Sequence, residues 1–124
     1  MKVLIVEDEE ALRKVLQEKL QRAGFEVFVA EDGDEGWNMA KSKNPDIILL
    51  DLILPKRNGF DLLGMLKQDP ELKDIPVFIL SNLDGDENIK KALRMGAEDY
   101  FVKAEHPINE VVQKVKDRLI ERSR

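Results

Sequence analysis

Short, unbroken apolar runs that each end in an ionisable side chain constrain this chain most. Val3-Leu4-Ile5-Val6 delivers Glu7-Asp8, Ile47-Ile48-Leu49-Leu50 delivers Asp51, and Tyr100-Phe101-Val102 delivers Lys103. Runs of this length without polar alternation read as strands buried on both faces, the setting of a parallel sheet. In an open parallel sheet the binding crevice lies beyond the carboxyl ends of the strands. Three acids and one lysine therefore converge on one crevice.

Between these runs lie helical patterns, and the two alternate along the whole chain. Strands are expected at 3–6, 25–30, 47–50, 77–80 and 100–102. The first helix carries Leu12, Val15, Leu16, Leu20 and Ala23 on one face and stops at Gly24. The second starts near Asp34 and turns Trp37 and Ala40 inward. The third runs from about Phe60 to Gln68, after the turn signals Pro55 and Asn58-Gly59, and 69–74 is a polar loop. The fourth covers Glu87 to Met95, and the fifth starts near Ile108 with Val111, Val112, Val115 and Leu119 on one stripe. Repeated strand–helix units imply an α/β fold with helices on both faces of the sheet. Right-handed crossovers leave few strand orders, and 2-1-3-4-5, the doubly wound flavodoxin-like (βα)5 arrangement, is the common one. One domain over 1–124 is expected.

Composition narrows the function classes. The chain is 36% charged with a net charge of −5, and an acidic domain is a poor direct ligand for nucleic acid. It has no cysteine, which excludes thiolate metal sites and disulfides. The lone His106 has no partner for a metal site. No apolar run approaches membrane-spanning length and the first residues do not resemble a signal peptide, so the expected location is the cytoplasm.

Acids that converge repel one another unless a cation joins them, and a hard divalent ion such as Mg²⁺ suits a few carboxylates and several waters. In the order 2-1-3-4-5 the first and third strands are neighbours, so Asp8 and Asp51 face each other at the switch point. A carboxylate can also act as a nucleophile on phosphorus, giving an aspartyl phosphate. That transfer needs alignment and charge neutralisation, for which Lys103 and the hydroxyl of Ser81, at the end of the fourth strand, are placed.

With Glu7-Asp8, Asp51-Leu52-Ile53-Leu54-Pro55, Asn58-Gly59, Ser81 and Tyr100-Phe101-Val102-Lys103 all in order, the whole chain resembles the receiver domain of two-component response regulators. The resemblance implies that Asp51 accepts a phosphoryl group from a histidine kinase or phosphotransfer protein. It implies that Asp8, Asp51 and the backbone carbonyl of Ile53 bind Mg²⁺, with Mn²⁺ as an alternative, and that Glu7 acts through water. Lys103 and Ser81 would grip the phosphoryl oxygens. Tyr100 would turn inward when Ser81 moves, switching a partner-binding surface on the fourth helix, fifth strand and fifth helix. A stand-alone phospho-switch is expected, not an enzyme with a separate substrate, and a monomer or a weak, phosphorylation-dependent dimer.

The sequence departs from the family pattern at three positions. Glu7 replaces the commoner aspartate, Asn82 stands where alanine or glycine is usual, and Ala104 replaces proline after Lys103. Asn82 bears on dephosphorylation rate. In most of the family the bond after that lysine is cis. A cis bond costs about 0.5–1 kcal/mol before proline and about 3–4 before other residues, so Lys103–Ala104 is expected to be trans. Pro107 is then expected just inside the start of the fifth helix.

Three rivals are weighed. A hydrolase working through an aspartyl phosphate would need a second acid two residues after the nucleophile, where Ile53 stands. A degenerate receiver that binds partners constitutively would not need the intact acids and lysine. A flavodoxin-like cofactor binder would want a Ser/Thr/Gly-rich loop where Glu7-Asp8-Glu9-Glu10 stands. Trp37 reads as core, Asp84, Asp86 and Glu87 as acids favouring a helix start, and Lys90, Lys91 and Arg94 as a solvated face.

Overall fold

The computed structural model describes residues 1–123. Five strands, β1 (Lys2–Val6), β2 (Glu26–Ala30), β3 (Ile47–Leu50), β4 (Val77–Ser81) and β5 (Asp99–Val102), form one sheet in the order β2-β1-β3-β4-β5. Every pairing is parallel. The helices are α1 (Glu10–Arg22), α2 (Gly33–Lys43), α3 (Gly59–Gln68), α4 (Asp86–Arg94) and α5 (Ile108–Ser123).

Successive strand residues point to opposite faces, and the apolar runs supply both. Leu4, Val6, Ile48, Leu50 and Ile79 pack with Ala40 of α2, Leu62, Leu63 and Leu66 of α3 and Ala92 of α4. Val3, Ile5, Ile47, Leu49 and Phe78 pack with Leu16 and Leu20 of α1 and Val111, Val115 and Leu119 of α5. Three helices thus cover one face and two the other. Each of the buried Val, Leu, Ile and Phe side chains contributes about 1.5–3 kcal/mol on burial.

Some expectations need correction. Val15 is 37% exposed, and the buried stripe of α1 runs through Arg13, Leu16 and Leu20 instead. Those three positions share a face at helical spacing. Leu72 is buried inside the segment read as a polar loop. Trp37 is half-buried against the core, with the Lys41 ammonium 5.8 Å from its ring. Lys91 is not merely solvated, since its Nζ lies 4.2 Å over the ring of Phe60. The Lys103–Ala104 bond is trans, as expected. Pro107 sits one residue before α5, where its carbonyl accepts the Glu110 and Val111 amides.

The sheet sets the register of the crevice. Val6 pairs with both Ala30 and Leu50, and Ser81 pairs with Val102. Hydrogen bonding continues one residue past the strand ends. Glu7 N–H donates to Ala30 O at 2.9 Å, Asp51 N–H to Val6 O at 3.0 Å, and Lys103 N–H to Ser81 O at 2.9 Å.

Candidate functional site

Glu7, Asp51 and Lys103 meet below the surface. The Lys103 Nζ lies 2.8 Å from Glu7 Oε1 and 2.9 Å from Asp51 Oδ2, and 3.6 Å from Glu9 Oε2. Glu7 and Asp51 are almost fully buried. The second oxygen of Glu7 accepts from Glu9 N–H at 3.1 Å, and the second oxygen of Asp51 accepts from Ile53 N–H at 3.1 Å. Glu7, expected to act on the metal through water, is a buried member of the cluster and bonds Lys103 directly.

The electrostatics follow from this packing. Burial pushes the Glu7 carboxyl from 4.5 up to about 7, against the hydrogen bond from Lys103. Burial works to lower the Lys103 ammonium, but its bonds to Glu7 and Asp51 prevail and hold it above its ordinary value. Lys103 stays charged, while Glu7 is poised near neutrality.

Asp8 differs from both. Its side chain is exposed and makes no hydrogen bond among the described residues. Yet Glu7, Asp8 and Asp51 each offer a carboxylate oxygen, and these oxygens lie within 4.8 Å of one another. An all-oxygen, anionic donor set of this spacing fits a small hard divalent cation.

The loop after Asp51 is set by close approaches. Asn58 caps α3 by accepting Asp61 N–H at 2.9 Å. A Cβ on Gly59 would lie 2.3 Å from the carbonyl oxygen of Asp51, so only glycine lets α3 start against the strand end. The Asn58-Gly59 signal, read as a turn, is also a support for Asp51. Farther along, the Gly33 amide donates to Pro55 O at 3.3 Å, and Arg57 Nε pairs with Asp34 Oδ1 at 3.0 Å. These contacts tie the loop to the start of α2.

On the other side of Lys103, Ser81 is fully buried and its Oγ accepts Leu83 N–H at 3.2 Å. The Tyr100 hydroxyl donates to the carbonyl of Leu83. Tyr100 is turned inward and is 8% exposed. Burial, then the negative charges of Asp51 and Asp84, hold its phenol above the ordinary range. Ile53 is 55% exposed at the crevice mouth. Asn82 is exposed and, with Ala104 and His106, lines a cavity of about 290 Å³ beside Lys103.

Sequence reasoning missed Arg13. The guanidinium is buried and its Nη1 donates to the carbonyls of Glu7 and Asp8 at 3.1 and 3.3 Å. The signal was present: Arg13 falls on the same stripe as Leu16 and Leu20, four residues after Glu9.

Residues 3–116 match the model of the response regulator receiver domain family. Among curated proteins, the chain is 36% identical over 115 residues to the alkaline phosphatase synthesis transcriptional regulatory protein PhoP of Bacillus subtilis, covering 93% of this chain and 47% of that one. It is 41% identical over 103 residues to the transcriptional regulatory protein CusR of Escherichia coli, covering 83% and 44%. The chain spans about half the length, or less, of these curated relatives. Among solved structures, the receiver domain of the Francisella response regulator 1452 is 32% identical with a TM-score of 0.88, covering 99% of this chain and 98% of that one. The Mn²⁺-bound form of response regulator Rcp1 is 28% identical with a TM-score of 0.83, covering 93% and 91%.

Proposed function

This chain belongs to the response regulator receiver domain family, and we propose that Asp51 is its phosphoacceptor. The family is a phospho-accepting switch of two-component systems, supplied by histidine kinases, and the Glu7, Asp8 and Asp51 cluster fits such a site. The observation that carries the assignment is the Lys103 ammonium bonded to both Asp51 and Glu7 at the strand ends.

The donor is a phosphohistidine on a histidine kinase or phosphotransfer protein. A carboxylate oxygen of Asp51 attacks phosphorus, the P–N bond breaks, and the imidazole leaves with a proton. Asp8, Asp51 and the carbonyl of Ile53 would hold Mg²⁺ or Mn²⁺, with Glu7 acting through water. A bound ion would supply charge neutralisation for the transferring phosphoryl group. Lys103 already bonds the accepting carboxylate and supplies further neutralisation. The Ser81 hydroxyl accepts Leu83 N–H here, which leaves its own hydrogen free for a phosphoryl oxygen.

Switching follows from the added charge. A phosphoryl group that draws Ser81 loosens its bond to Leu83, the residue whose carbonyl Tyr100 holds. The β4–α4 loop, α4, β5 and α5 are then biased toward a second arrangement. The output is a protein partner docking on that surface. Hydrolysis of the aspartyl phosphate by water, with Asn82 at the mouth, resets the switch in the cytoplasm.

Incubation with phosphoramidate and Mg²⁺ tests the assignment by intact mass. One phosphoryl group is expected on the wild type, none on Asp51→Asn, and none on the wild type in EDTA. Undiminished labelling of Asp51→Asn would overturn it.

A further inference from the structure

We propose that Arg13 is a positioning residue for the metal-binding acids, holding the end of β1 through the carbonyls of Glu7 and Asp8. The inference rests on the assignment of those acids to the metal site. Arg13 is 8% exposed, and no hydrophobic requirement of α1 is met by a guanidinium. A guanidinium cannot shed its charge, so its burial demands acceptors. Arg13 finds three: Glu7 O at 3.1 Å, Asp8 O at 3.3 Å and Glu31 Oε1 at 2.8 Å.

The two carbonyls are where the sheet stops serving the chain. Glu7 N–H still bonds to Ala30, but neither carbonyl takes a backbone hydrogen bond among the described residues. Arg13 replaces the missing strand neighbour and fixes two consecutive peptide planes. The consequence falls mainly on Asp8. Glu7 has Lys103 and Glu9 N–H to hold its carboxylate, whereas the Asp8 carboxylate has no hydrogen-bond partner among the described residues. Its place within 4.8 Å of the other two acids depends on the backbone that Arg13 grips. The Glu31 carboxylate is 63% exposed and closes the arrangement from the end of β2.

Groups that orient metal ligands without touching the ion change affinity by about 10–100-fold when removed. Free Mn²⁺ measured by its electron paramagnetic resonance signal, with Mg²⁺ as competitor, reads the affinity of the full chain directly. Arg13→Met is expected to weaken binding about tenfold, Arg13→Lys to recover it to within about threefold, and Glu31→Gln to stay within about twofold of wild type. Thermal midpoints in EDTA show which variants are folded. Arg13→Met at wild-type affinity overturns the inference. So does a Glu31→Gln loss as large as that of Arg13→Met, which would assign the effect to charge and not to the carbonyls. If Arg13→Met does not fold, Arg13→Gln takes its place, and wild-type affinity in that variant overturns the proposal. A wild type that binds no Mn²⁺ removes the metal site itself, a failure distinct from an Arg13 variant that binds as the wild type does.

Discussion

At the ends of β1 and β3, Glu7 and Asp51 are each bonded beneath the surface to the Lys103 ammonium that reaches them from the end of β5; beside them, Ser81, Leu83 and Tyr100 are joined by hydrogen bonds between neutral groups. Removing one member of a buried charge cluster leaves another uncompensated and costs about 3–5 kcal/mol. Removing one neutral hydrogen bond costs about 1 kcal/mol. The acid side is therefore a strongly coupled unit whose energy depends on pH and cations. The other side is a weak latch that depends on neither. A phospho-switch gains from that asymmetry, because a charge change on the first side can overcome the second.

The largest break in the comparison is Lys103→Ala. It leaves Glu7 and Asp51, 3% and 4% exposed at their side chains, facing each other without a cation. A loss of about 3–5 kcal/mol is expected in urea unfolding at pH 8 in EDTA. The loss should shrink toward pH 5, where Glu7 takes a proton. Mg²⁺ should restore part of it, and its affinity should be kept or improved, because a competing cation is gone. A loss of Mg²⁺ affinity as severe as in Asp8→Asn would contradict the separate roles of lysine and acid.

Next in size is the pH dependence of the metal-free protein. Glu7 keeps its proton up to about pH 7 when folded and to about 4.5 when unfolded. Between those values the native state binds a proton that the unfolded chain lacks. This contribution to stability is full below pH 4.5 and is lost as pH rises through 7. At about 1.4 kcal/mol per pKa unit it amounts to at most about 3 kcal/mol. Glu7→Gln should flatten that part of the urea-unfolding profile. A profile unchanged by the substitution would remove Glu7 from the coupled unit.

Mg²⁺ should act on the same side with similar size. An ion that binds only the folded chain adds about 2.7 kcal/mol at 100 times its dissociation constant. The midpoint of thermal unfolding should rise with millimolar Mg²⁺ in wild type and barely move in Asp8→Asn. A midpoint indifferent to Mg²⁺ in the wild type would argue against the metal site.

Legibility in the sequence divides along the same line. The strands and the convergence of Glu7, Asp8, Asp51, Ser81 and Lys103 could be read because continuous apolar runs demand two buried faces and their ends mark the crevice. What could not be read was how each group is held. Whether Glu7 or Asp8 turns inward depends on a single peptide beyond the strand, and no periodicity reports that. Arg13 was hidden because a cation in an amphipathic helix is assigned to the solvent face by default, while Val15 drew the stripe one position away. The support that Gly59 gives Asp51 depends on how closely a helix start approaches a strand end, a distance that only the folded chain defines.

The smallest expected effects test the latch. Ser81 Oγ accepts the amide of Leu83 and the Tyr100 hydroxyl donates to the carbonyl of the same residue, so both side chains act on the backbone of Leu83. Tyr100→Phe should cost about 1 kcal/mol, and Ser81→Ala a similar amount. Neither loss should vary with Mg²⁺ or between pH 5 and pH 8, because neither group ionises in that range. Residues that share a partner couple, so the double variant should cost less than the sum of the single ones by about 0.5 kcal/mol or more. Urea unfolding of the four proteins in EDTA and in Mg²⁺ gives the coupling directly. Additive losses would mean that Ser81 and Tyr100 do not act through Leu83. A coupling that appears only with Mg²⁺ would mean that the latch is not separate from the acid cluster.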